Sequence, residues 1–73
     1  MKIVKITNES MTVRILLDKA PKRLHDLDYI AIDFTKDNIK QGIKTIIFTY
    51  PILGINGAYK SYTVSANTIN ELM

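Results

Sequence analysis

The chain has 73 residues, a formal net charge of +3 and no cysteine. A chain this short makes one domain, residues 1–73, and folding buries only about 60% of the surface that the unfolded chain exposes. The lack of cysteine excludes a disulfide framework and any cysteine-ligated metal site, and the modest positive charge allows binding to polyanions without requiring it.

The N-terminus predicts neither secretion nor a membrane anchor. Lys2 and Lys5 interrupt the first apolar stretch, whereas a signal peptide needs a core of about 7–15 apolar residues and a spanning helix about 20. We therefore expect a cytoplasmic protein with no membrane partner. The bias toward Ile, Lys, Asn and Tyr is typical of A/T-rich genomes, such as those of low-G+C bacteria and their phages. For a phage protein the expected location is the host cytoplasm or the virion.

The first 17 residues predict a β-hairpin. Alternating apolar residues over 2–7 and 11–17 are typical of strands, and residues 8–10 have turn composition. In the second strand, Met11, Val13, Ile15 and Leu17 would share one face.

The next segment, residues 18–34, predicts a change of structure and then a third strand. Pro21 suits the first turn of a short helix, although a plain loop is an equal alternative. From Tyr29 to Phe34 the alternation resumes, with Ile30, Ile32 and Phe34 on one face.

The second half of the chain predicts two more strands and two short helical turns. Residues 35–42 fit one helical turn closed by the C-cap glycine Gly42. Strands are expected over 43–50 and 58–64, with Pro51 ending the first because proline has no N–H to donate. In the tail, Thr68 and Glu71 match a capping box that would begin a short C-terminal helical turn.

Together these elements predict a mainly β fold with five strands and short helical turns. We expect a small barrel or a curled antiparallel sheet, since closure removes exposed strand edges. An open sheet with a helix across one face is the alternative.

Catalysis is not expected. His25, Asp26 and Asp28 form the only cluster with acid–base or metal potential, and one histidine with two neighbouring carboxylates is a poor ligand set. The serines lie in no nucleophile elbow, and the glycines form neither a P-loop nor a dinucleotide fingerprint. We therefore expect no enzyme activity, no cofactor, no metal and no small-molecule substrate.

A basic cluster, Lys19, Lys22 and Arg23, is a candidate for phosphate contact. Asp18, Asp26 and Asp28 lie nearby in the sequence and bring the local charge close to neutral. Ordinary solvated charge is therefore the favoured interpretation.

The C-terminal hairpin carries the strongest candidate for a binding surface. If its turn centres near Gly54, Phe48 lies opposite Lys60 and Ile46 opposite Tyr62. One face of the hairpin would then hold Lys44, Phe48, Tyr50, Lys60 and Tyr62. Aromatics among cations stack the bases of single-stranded nucleic acid, and they are also enriched at protein interfaces. The alternative is that Phe48 fills the core while the tyrosines lie at its rim.

Two functions follow from this hairpin: its excess apolar surface over residues 43–50 and 51–55 favours a protein partner, and its aromatics among lysines suit nucleic-acid bases. The first is a non-catalytic interaction module, such as a phage or mobile-element accessory protein that binds and inhibits a host protein or self-associates as a homodimer. The second is a small β-barrel that binds single-stranded nucleic acid. The apolar excess of the hairpin is stronger than the basic excess of the chain, so the sequence favours protein interaction.

Overall fold

The computed structural model describes residues 1–72. Met73, the last residue of the predicted domain, lies outside the described residues. The elements in chain order are β1 (Ile3–Glu9), β2 (Thr12–Leu17), α1 (His25–Asp37), a 3₁₀ turn (Ile39–Gln41), β3 (Thr45–Pro51), β4 (Tyr59–Ser65) and α2 (Ala66–Leu72).

Residues 1–72 form one mainly β fold around an open four-stranded sheet in the order β1-β2-β3-β4. The β1–β2 and β3–β4 pairs are antiparallel, but β2 and β3 are parallel. Parallel neighbours need a crossover connection, and α1 provides it. The prediction of five strands in a closed or wholly antiparallel sheet is therefore wrong in strand number, direction and closure. The alternative, an open sheet with helix on one face, is the architecture observed.

The strand predicted over residues 29–34 is the middle of α1. The alternation of Ile30, Ile32 and Phe34 resembles a strand, yet Leu27, Ala31 and Thr35 recur every four residues and are all buried. Burial of that helical face outweighs the β preference of the isoleucines. The choice between a short helix at Pro21 and a loop is resolved as a loop, because α1 begins only at His25.

The ends of the helical segments match their local sequence. Gly42 has a φ of 65° and closes the 3₁₀ turn, which confirms the predicted glycine cap. At α2 the helix begins at Ala66, three residues earlier than the match at Thr68 and Glu71 suggests it should. The Ser65 hydroxyl accepts the N–H of Thr68 at 3.4 Å, so Ser65 acts as the N-cap.

The core lies on the side of the sheet that the two helices cover. Both α1 and α2 contact β4 and each other. The packed side chains are Val13, Ile15, Leu17, Leu27, Ala31, Ile46, Phe48, Tyr50, Val64 and Ile69. By contrast, all seven residues of β1 are exposed. The helices therefore cover the middle and the β4 side of the sheet and leave β1 largely bare.

Candidate functional site

The predicted aromatic surface lies on the covered side of the sheet. Phe48 is completely buried and Tyr50 is 7% exposed. Tyr62 is half-buried and packs against the core. The structure thus brings the three aromatics together on one face, as the alternation predicts, but it packs them into the core beneath the helices.

The register of this hairpin differs from the predicted one by two residues. Phe48 pairs with Tyr62, and Tyr50 pairs with Lys60. A shift of two leaves every side chain on its expected face, because side chains alternate with a period of two. The cause is that the connection centres on Ile55 rather than on Gly54, and a shift of one residue in the centre moves the pairing by two.

The two lysines of the predicted surface remain exposed but lie far apart. Lys44 precedes β3, and Lys60 is opposite Tyr50 near the other end of that strand. Six residues of strand separate the two positions, or roughly 20 Å. With Phe48 and Tyr50 buried between them, the five predicted residues do not form one continuous exposed surface.

Asp28 links helix α1 to the sheet. It is 7% exposed, and its Oδ1 accepts the Tyr62 hydroxyl at 2.9 Å. Its Oδ2 lies 3.5 Å from Nδ1 of His25, whose side chain is 86% exposed. The hydrogen bond to Asp28, followed by desolvation, raises the pKa of Tyr62 above its usual value. A protonated Tyr62 is therefore the form that the fold stabilises, which fits a structural tie.

The described residues include no group of three or more His, Cys, Asp or Glu side chains placed to hold a metal ion. Within the same residues, every buried side-chain nitrogen or oxygen has a hydrogen-bond partner. No buried polar atom in this part of the chain is therefore left to recognise a ligand.

The basic cluster of Lys19, Lys22 and Arg23 is exposed in the connection between β2 and α1. Lys19 and Lys22 line a shallow depression of about 230 Å³ that Asp26 also lines. The carboxylate offsets part of the positive charge there, so the geometry does not concentrate the cations as a phosphate site requires.

A second surface lies at the β3–β4 connection, in residues 51–59, here named the apolar loop. Two turns follow one another in it: the N–H of Ile55 donates to the carbonyl of Ile52, and the N–H of Ala58 donates to that of Ile55. The third residue of each turn is a glycine, Gly54 with φ 84° and Gly57 with φ 78°. Positive φ at this position requires glycine or asparagine, so the sequence specifies both turns.

These turns hold apolar side chains out of the core. Leu53 is 99% exposed, and Ile55 and Tyr59 are each 58% exposed. Contiguous apolar surface with polar residues at its rim marks interaction sites on small proteins. The sequence predicts the turn of this hairpin near Gly54, and the structure has two consecutive turns there, at Gly54 and at Gly57.

An open groove of about 590 Å³ separates the apolar loop from residues 18–20. It lies beyond the carboxyl ends of β2 and β3, the parallel pair. Its lining is mostly apolar, with Asp18 and Lys19 on the opposite wall. The Lys2 backbone N–H donates to Oδ1 of Asp18 at 2.6 Å, which lowers the pKa of Asp18 and keeps this wall charged.

Comparisons with protein-family models, curated proteins and solved structures found no match to the chain. Among residues 1–72, no helix has the length and apolar character needed to cross a membrane.

Proposed function

We propose that the chain is a non-catalytic protein-interaction module that binds an apolar segment of a partner protein with the apolar loop. The observation that carries this proposal is the 99% exposure of Leu53. A leucine held in water by two glycine-specified turns gains nothing for folding. Its full burial by a partner is favourable by about 1.5–3 kcal/mol.

The groove supports the same proposal. Leu53, Ile55 and Tyr59 line it together, and the tandem turns fix the loop before any partner arrives. A preformed apolar site loses little conformational entropy on binding. The groove is open and mostly apolar, with few polar side chains in its lining, which suits an apolar protein segment better than an enclosed small molecule.

The test is affinity capture from a lysate of the source cells, with three forms of the chain as bait: the wild type, Leu53→Asp and Ile39→Asp. Ile39 is a matched control, because it is 67% exposed and lies in the 3₁₀ turn, away from the groove. We expect one partner protein to be captured by the wild type and by Ile39→Asp, and not by Leu53→Asp. With that protein purified, Leu53→Asp should weaken binding about ten-fold or more. Equal binding by all three forms would overturn the proposal.

The alternative is a module that binds single-stranded nucleic acid, and the exposed Lys44 and Lys60 support it. Against it, Phe48 and Tyr50 are buried and leave no aromatic platform at the predicted position. Gel retardation of a labelled oligonucleotide at low salt separates the two functions. Retardation that weakens steeply with salt and with Lys60→Ala would favour this alternative, and its absence would remove it.

A further inference from the structure

Strand β1 is an edge of the sheet and is exposed along its whole length. Among the described residues, its one side-chain hydrogen bond to another element runs from Asn8 to Oε1 of Gln41 in the 3₁₀ turn, at 2.6 Å. All seven of its residues are exposed, and Ile3, Val4 and Ile6 are 48%, 59% and 44% exposed. A free edge presents unpaired N–H and C=O groups to any further strand. β1 contains no proline that would block such pairing.

The free backbone groups of β1 belong to alternate residues. Glu9 and Thr12 are paired and close a two-residue turn. Counting from that pair, Thr7 and Lys5 exchange hydrogen bonds with β2, while Asn8 and Ile6 direct their N–H and C=O groups outward. The register shifts between Ile3 and Lys5, so the regular part of the edge is residues 5–9.

This regular segment is complementary to itself in the antiparallel direction. With a two-fold axis at Thr7, Ile6 of one copy hydrogen-bonds Asn8 of the second copy. Lys5 then lies directly opposite Glu9 of the second copy, and the axis repeats that pair. Both residues lie on the uncovered side of the sheet, since Lys5 pairs with Leu16 and Glu9 with Thr12, opposite the buried face of β2. Parallel pairing in register would instead place Lys5 against Lys5.

We propose that a second copy of this chain pairs with β1 in this way and joins the two sheets into one of eight strands. The other edge strand, β4, does not offer the same match. Its one charged residue is Lys60, so two copies of β4 would bring no opposite charges together. The two Ile6 side chains would lie diagonally across the axis, within reach of each other.

The dimer is independent of the proposed function. No residue of β1 lines the groove beside the apolar loop, so a dimer and a bound partner are compatible. Edge pairing of two short strands buries less than the roughly 1,600 Å² of a standard interface. The dimer should therefore be reversible and depend on concentration.

The experiment is sedimentation analysis of the full chain over a range of concentrations, with Lys5→Glu, Glu9→Lys and the double variant. We expect the average mass of the wild type to rise with concentration, from about 8.3 kDa for the monomer to about 16.6 kDa for the dimer. Each single change places like charges in both symmetric pairs and should weaken dimerisation about ten-fold, and the double variant should restore it. Lys5→Glu lowers the net charge of the chain and Glu9→Lys raises it. If both variants dimerise more weakly, the change in net charge is therefore not the cause.

Circular dichroism and melting of each variant control for folding, because both side chains are exposed. A wild type that stays monomeric at the highest concentration would overturn the dimer and leave the apolar loop untouched. Assemblies larger than two, or a double variant as weak as the single ones, would overturn the two-fold register. Loss of partner binding in Leu53→Asp with dimerisation intact would leave this inference standing.

Discussion

The Tyr62 hydroxyl donates a 2.9 Å hydrogen bond to Oδ1 of Asp28 and so ties strand β4 to the first turn of α1. The two residues are 34 positions apart in the chain. Asp28 is buried, and a buried carboxylate is costly unless it is hydrogen-bonded. The same carboxylate also lies near the N-terminus of α1, where negative charge is favourable.

Tyr62→Phe should lower the free energy of unfolding by about 1–2 kcal/mol, because it leaves one oxygen of Asp28 without its donor. Chemical denaturation of the wild type, Tyr62→Phe, Asp28→Asn and the double variant measures the coupling between the two side chains. Additive losses would show that the hydrogen bond contributes nothing beyond the separate packing of each residue.

The same bond predicts a loss of stability in alkali. The hydrogen bond from Tyr62 to Asp28, together with desolvation, raises the pKa of the tyrosine above its ordinary 10.0. The fold therefore favours the protonated phenol, and this stabilisation is complete below about pH 10 and declines as pH rises through the folded pKa. Melting of wild type and Tyr62→Phe from about pH 8 to about pH 11 should show their difference narrowing. A difference that stays constant with pH would contradict the prediction. Because the other tyrosines are present in both forms, their ionisation affects both melting temperatures alike.

The fold could be predicted in part, and each error has a local physical cause. The alternation in β1, β2, β3 and β4 located all four strands to within a few residues. In α1, the residues Ile30, Ile32 and Phe34 satisfy a period of two, while the buried set of Leu27 and Ala31 satisfies a period near four. Local sequence could not choose between a strand and a helix here, because the choice depends on the apolar face of the sheet that the segment has to cover.

The candidate site was predictable to a smaller extent. The sequence identified the face that Phe48 shares with Tyr62, but whether a face is exposed depends on where the helices pack. Two consecutive turns at Gly54 and Gly57 form the connection and leave Leu53 exposed. The exposure of Leu53 depends on the presence of two turns, and the alternation of apolar and polar residues does not predict how many turns a connection contains.

The two glycines of the apolar loop should be intolerant of alanine. Gly54 and Gly57 have positive φ, and a Cβ added at either would meet no atom within 4 Å. The cost is therefore backbone strain alone, about 1–2 kcal/mol for each substitution. Denaturant unfolding of Gly54→Ala and Gly57→Ala measures it, and Asn56→Ala, between them in the same loop, is the control. Wild-type stability in both glycine variants would contradict the assigned turns.

The final prediction separates core from surface within one hairpin face. Phe48 and Lys60 lie on the same face, but Phe48 is completely buried and Lys60 is exposed. Phe48→Ala should cost about 3–5 kcal/mol of unfolding free energy, because it removes a large side chain and leaves a cavity. Lys60→Ala should stay within about 0.5 kcal/mol of wild type, as surface changes do. If Phe48→Ala instead kept wild-type stability, the aromatic face would have to be open to solvent, and a base-stacking surface there would regain its support.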